Sequence, residues 1–400
     1  MARLCKLIVL LATAISLSGC ALPYYWQAIG GQIQLLRKRT PIDELLADPA
    51  TDPKLRSTLG AIAMIRRFAV DELKLPDNDS YTTYVDLKRS YVVWNVVAAE
   101  EFSVDPKQWC FPFVGCVAYR GFFDRDKAER FQAKLDARGF DTYSGGSSAY
   151  STLGFFADPV LSTMIGGGPP YVASLLFHEL SHQKLYIKDD SEFSEAFATT
   201  IEEYGTEKWL REHADEAAVA AYRARLLRRD GFADLVEREQ ARLREIYAGN
   251  SPPAVKRAAK AASFETMRAS YERLRVQWGG KGDYDAWFAG PLNNAALAAV
   301  ATYRHWPPAL RWRLATVGLD TFYADCSALA NLSGQERSER LKAWLEAATA
   351  ASTARGTADS LQQTATPGLA ETLRQPGVER LGPDAESAQI LADAHARDAE

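Results

Sequence analysis

Residues 171–187 read YVASLLFHELSHQKLYI. Apolar Leu175, Leu176, Phe177 and Leu180 crowd this stretch, so it is expected to be a helix locked into a core. Inside it, His178-Glu179-Leu180-Ser181-His182 has the form H-E-x-x-H. Side chains four apart share a helical face, so both imidazoles can meet one ion. Glu179 falls one residue round, within reach of a water held at that ion. Zn²⁺ is the ion the pattern suits. It lowers the pKa of its water, and a neighbouring carboxylate takes the proton as the water attacks a carbonyl. The chain holds 5 His in 400 residues, so the pair does not follow from abundance. Lys184 is a departure, because such helices more often carry an apolar residue there. The expected roles are His178 and His182 as metal ligands and Glu179 as general base, later the acid that protonates the leaving amine.

A catalytic zinc needs a third protein ligand and one open position. No other His is near in sequence, which leaves Glu192, Glu195, Glu202 and Glu203. The active helix is expected to end near Ile187, with Lys188-Asp189-Asp190 as the turn and Asp190 or Ser191 capping the next helix. In an antiparallel hairpin centred near residue 189, His182 lies level with about residue 196, so Glu195 is the best-placed ligand. Glu202 is seven residues further on and shares its face, where it can orient His178 from behind. An alternative for Glu202 and Glu203 is a solvated pair near a helix end.

The N-terminus looks like a targeting segment. Arg3 and Lys6 precede an apolar run, Leu7 to Leu17, that is short for a membrane span. It ends Leu17-Ser18-Gly19-Cys20, which resembles a bacterial lipobox with Cys20 as the lipidated residue. Acyl chains would then anchor the protein without a transmembrane helix. Ala21 after the Cys favours the outer membrane by resemblance to enterobacterial sorting, which makes the expected site the periplasm. Cys110 and Cys116 flank a turn-prone Phe-Pro-Phe-Val-Gly and suit a disulfide in an oxidising compartment, while Cys326 reads as core. The net charge of −4 gives no reason to expect a nucleic-acid partner. The expected partners are a peptide or protein substrate and, through the lipid, a membrane.

Outward from the motif the chain reads as mostly helical with a small sheet. Leu55, Leu59, Ile62, Ile65, Phe68 and Leu73 recur at helical spacing ahead of Pro76. Residues 90–98 and 117–123 are rich in Val, Tyr and Phe and read as strands. Residues 141–151, with Gly and Ser, read as a loop. Residues 206–248 read as two helices broken near Asp230-Gly231, and further helices are expected at 254–277, 292–304 and 309–347. Residues 348–400 lack aromatic side chains and are expected to be a disordered tail. The expected organisation is a signal peptide over 1–19, a catalytic domain over 20–347 and that tail.

Several segments together resemble a family of proteobacterial lipoproteins described as predicted zinc aminopeptidases. They are SYTTYVDLKRSYVVWNVVAAEEFS (80–103), WCFPFVGCVAYRGFF (109–123), AYSTLGFFADP (149–159), FHELSHQ (177–183), FSEAFATTIEEYG (193–205) and LNNAALAAVATYRHWPPAL (292–310). The resemblance covers roughly residues 20–330. Members commonly carry Asn before the ligand Glu, where this chain has Ser194. The family is similar to gluzincins, whose third ligand is a Glu on the following helix, and this agrees with Glu195. The resemblance implies an α+β, zincin-like fold. Zincins also place an edge strand just before the active helix, for which Tyr150 to Phe156 is a candidate, an ordinary core strand being the alternative. A Tyr or His from a later segment stabilises the oxyanion in such enzymes, which points to Tyr303 or His305, although either can instead be packing or surface.

The reading is a zinc-dependent aminopeptidase of the periplasm. Two alternatives stand beside it. One is an endopeptidase for quality control of envelope proteins. The other is a non-catalytic binding or assembly lipoprotein with structural zinc, against which the intact Glu179 argues, since a structural site needs no base.

Overall fold

A computed structural model describes residues 22–111, 115–149, 151–152, 154–301 and 306–364. The signal segment with Cys20, and the oxyanion candidates Tyr303 and His305, lie outside the described residues. The fold is α+β and mostly helical, with small sheets. The chain begins with α1 (Leu22–Arg37), β1 (Thr40–Pro41), α2 (Ile42–Ala47) and α3 (Pro53–Asp71). Helix α3 starts where Asp52 accepts a hydrogen bond from the Leu55 amide, with Pro at the first helical position. Its Leu59, Ile62, Ile65 and Phe68 are buried at the spacing the sequence shows.

The strands follow: β2 (Thr83–Val85), β3 (Val93–Glu100), β4 (Trp109–Phe111), β5 (Gly115–Val117), β6 (Tyr119–Phe122), then α4 (Arg125–Asp136), β7 (Phe140–Ser147) and β8 (Val160–Leu161). One sheet has the order β6-β3-β7, antiparallel throughout. A second, β1-β2-β8, joins β2 to β8 in parallel. The short β4–β5 hairpin is closed by a disulfide between Cys110 and Cys116. Two sequence expectations fail here. Residues 140–147 form a strand rather than a loop, because Gly145 and Gly146 pair directly opposite Asn95 and Trp94 of β3. No strand covers the described part of 150–156, where Thr152 and Asp158 side chains bond one another instead of a neighbouring strand.

The helices that follow are α5 (Gly168–Lys184), α6 (Ser191–His213), α7 (Glu216–Ala248), α8 (Pro253–Gln277), α9 (Asp285–Ala289), α10 (Asn294–Ala301), α11 (Pro307–Val317), α12 (Leu319–Ala330) and α13 (Gly334–Thr364). Helix α7 runs unbroken through Asp230-Gly231, since one glycine costs only about 1 kcal/mol inside a packed helix. The break falls earlier, where Asp215 caps α7 by accepting from the Ala218 amide. The stretch expected as one helix over 309–347 is interrupted at Gly318, whose φ of 77° suits glycine, and again after Ala330. Helix α13 continues past 347, so the expected tail begins as helix. Its alanines favour a helix even where they bury little.

Buried apolar side chains from α3, β2, α5, α6 and α11–α13 form the main core, around Phe177, Leu180, Phe193 and Phe197. A second cluster joins β3 and β7 to α7–α10. Among the described residues, no helix is long and apolar enough to cross a membrane.

Candidate metal centre

Helix α5 is apolar nearly all round, with Val172, Leu175, Leu176, Phe177 and Leu180 buried, which fixes its rotation in the core. It ends at Lys184, a turn earlier than the sequence suggests. Lys184 explains its own polarity: its ammonium donates to the Lys74 carbonyl and lies over the Tyr323 ring, at the helix end where a cation is favoured.

The connection to α6 is built from side chains. Asp190 caps α6 by accepting from the Phe193 amide at 3.0 Å. Ser194 accepts from the Ile187 amide at 3.0 Å and donates to the Asp190 carbonyl at 2.9 Å. Arg337 of α13 donates to Asp190 Oδ2 at 2.6 Å. Helix α6 packs so closely on α5 and on the segment after α3 that a β-carbon on Gly205 would lie 2.4 Å from Leu73 and 2.9 Å from Phe177.

This hairpin brings His178, His182 and Glu195 together. One ligand atom from each lies within 4.8 Å of the others, and this group could hold a metal ion. The Nε2 atoms of His178 and His182 are 3.2 Å apart. The Glu195 carboxylate lies 3.3 Å from the first and 3.5 Å from the second. Two imidazole nitrogens and one carboxylate, facing each other at a core edge, are the donor set zinc takes, so the residues fit the ion. Glu192 is exposed and stands outside the group.

Behind His178, Glu202 Oε2 meets Nδ1 at 3.0 Å, and its other oxygen accepts from Ser174 at 2.6 Å. Burial alone would depress the His178 imidazole, but Glu195 and Glu202 outweigh it and hold its pKa well above the usual range. Burial would raise Glu195, but the charges and hydrogen bonds of His182 and His178 hold it well below. Glu202 is likewise lowered against burial, by His178 first and then by Arg229.

The idea of Glu202 and Glu203 as a solvated pair fails, since both are buried. Arg311 of α11 grips Glu203 with two bonds, 2.5 and 2.7 Å, and also reaches Asp230 at 3.0 Å. Arg229 pairs with Glu203 as well. A buried carboxylate survives only with such partners. Neither arginine was legible as part of the site, because charged residues in a long helix look solvated in sequence. Ser174 was equally hidden, a small residue one turn before the motif.

No curated protein and no solved structure matches this chain. A family model matches residues 23–341, and the chain belongs to that family, which is described as "Putative aminopeptidase".

Proposed function

We propose that the chain is a zinc-dependent peptidase with a zincin-like arrangement, in which His178, His182 and Glu195 hold the metal and Glu179 is the base. The observation that carries the reading is the convergence of those three ligand atoms, with Glu202 set behind His178. When bound, zinc supplies Lewis acidity toward a carbonyl oxygen and acidifies water. The chain's own part follows from position. Glu202 fixes the His178 ring through Nδ1, which leaves Nε2 turned to His182 and Glu195. Glu179 is partly exposed one residue round the helix, accepts the proton of the attacking water and returns it to the leaving amine. Release of N-terminal residues is the activity that the family's description favours.

The same proposal places the protein in the periplasm, tethered by lipid on Cys20 to the outer membrane. It is supported by the basic start, the apolar run and the Leu-Ser-Gly-Cys that ends it, and by a disulfide at Cys110–Cys116, which suits an oxidising compartment. Cys20→Ser should then move the protein from the membrane fraction to the soluble periplasm.

The testing experiment is metal analysis combined with a peptide-library digest. Purified protein should carry about one Zn²⁺ per chain and cleave free peptides in preference to N-blocked ones. Glu179→Gln should keep the metal and lose roughly 10²-fold or more in rate. Absence of zinc, with no activity restored by adding it, defeats the reading. Equal cleavage of blocked peptides makes the enzyme an endopeptidase.

A further inference from the structure

The Glu179 carboxylate is partly exposed and makes no hydrogen bond or ion pair among the described residues. A base held by nothing samples several rotamers, of which only some face the attacking water. Nearby, Tyr81 is 1% exposed, and its buried hydroxyl meets no partner at good hydrogen-bond geometry among the described residues. A buried phenol without an acceptor is rare enough to call for an explanation.

Tyr81 is held where it is against local preference. Its φ of 63° is left-handed, a conformation that an aromatic residue seldom adopts and that clusters at functional sites. Its amide donates to the Asp158 carbonyl at 2.6 Å. The Ser80 carbonyl accepts from Arg66 Nε at 2.9 Å. Ser80 Oγ accepts from Gln183 Nε2 at 3.2 Å and from the Asp158 amide at 3.4 Å, and Asn78 Nδ2 donates to Gln183 Oε1 at 2.8 Å. Gln183 is one turn past Glu179 on the same face of α5. The clamp therefore sets Tyr81 against the face that carries the base. Burial lifts the phenol pKa well above its usual value, and the charges of Glu179 and Asp158 add to that, so it stays a protonated donor beside two carboxylates.

One of those carboxylates is already well supplied with donors. Asp158 Oδ1 accepts from Thr152 Oγ1 at 2.8 Å, and Oδ2 accepts from the Thr152 amide at 2.9 Å and from Ser151 Oγ at 3.3 Å. Glu179 has no such donors. The Ser151 hydroxyl also lies within hydrogen-bonding reach of the phenol, but its own proton goes to Asp158 Oδ2, so it can offer the phenol only a neutral acceptor.

We propose that Tyr81 is a positioning residue for Glu179, its buried hydroxyl donating to that carboxylate in the working enzyme and holding it toward the metal centre. At 1% exposure it acts through Glu179 rather than on the substrate. The inference rests on the reading of Glu179 as the base.

The test is a double-mutant cycle with a spectroscopic arm. Tyr81→Phe removes only the hydroxyl. It should keep zinc content and KM and lower kcat about 10-fold or more. In the Glu179→Gln background the same change should cost nothing further, because the group it holds is gone. An unchanged kcat in the single variant, or equal slowing in both backgrounds, overturns the proposal. The second arm needs no turnover. With ¹³Cζ-labelled tyrosine, the Tyr81 signal, assigned by its loss in Tyr81→Phe, should move in Glu179→Gln while that of Tyr84 stays. A Tyr81 signal that does not move overturns the proposal even if no peptide is cleaved. A parent protein without peptidase activity sinks the peptidase reading. An active parent with an indifferent Tyr81→Phe sinks only this one.

Discussion

Glu202 Oε2 meets His178 Nδ1 at 3.0 Å, on the opposite edge of the imidazole from the nitrogen that faces His182. His182 has no equivalent among the described residues: its Nδ1 is buried without a partner there. The orientation of the pair therefore falls on Glu202, itself fixed by Ser174. Glu202→Ala should weaken zinc roughly 10- to 100-fold, as outer partners of ligand histidines do, and Glu202→Gln, which keeps an acceptor, should cost less. Competition with a chelator measures both. Equal affinity in all three proteins would remove Glu202 from the site.

The closeness of α5 and α6 depends on Gly205. Alanine there gains about 1 kcal/mol of helix propensity, but its methyl enters space held by Leu73 and Phe177, both fully buried. Overpacking of this kind costs about 1–3 kcal/mol, so the net change should be destabilising. Thermal unfolding of Gly205→Ala should show a lowered Tm. A raised Tm would mean that the helices can part at no cost.

What could be read in advance follows the physics of each signal. The H-E-x-x-H helix is legible because ligand spacing and helical period coincide, and Glu195 because a short antiparallel hairpin fixes which residues stand level. Glu195 stands beside the two imidazoles although α5 ends about one turn earlier than expected, since Ser194 and Asp190 set the turn by hydrogen bonds rather than by its length. The strand at 140–147 was hidden because its glycines and serines weaken the local preference that sheet pairing overrides. The setting of Tyr81 was hidden for a different reason: it is made by long-range contacts, such as that of Ser80 with Gln183 across more than a hundred residues.

Asp158 offers a pH test away from the ligands. Burial, outweighing its bonds to Thr152, raises its carboxyl to about 6, and the charge of Glu179 adds to the rise. A carboxyl raised on folding binds its proton more tightly in the native state. Stability is therefore lost as pH climbs from about 4 to 6, by roughly 3 kcal/mol at most, and levels off above. Asp158→Asn cannot titrate. Urea unfolding across that window should show the parent falling relative to the variant and then running parallel to it. A parent that gains on the variant between pH 4 and 6 would reverse the sign and show a carboxylate stabilised by its bonds.

The ligand assignment is decided by comparing two glutamates on one helix. Glu195 is within 3.5 Å of both imidazoles, whereas Glu192, one turn nearer the start of α6, is exposed. Glu195→Ala leaves two neutral imidazoles without an anion, so zinc affinity should fall by several kcal/mol, enough to empty the site in ordinary buffer. Glu195→Gln keeps the volume and should lose most of the same affinity, which separates charge from packing. Glu192→Ala should leave zinc content unchanged, because it stands outside the group that His178, His182 and Glu195 form. Metal analysis after dialysis of the three variants reads the pattern directly. If Glu192→Ala strips the metal while Glu195→Ala retains it, the hairpin is in another register and the third ligand must be reassigned.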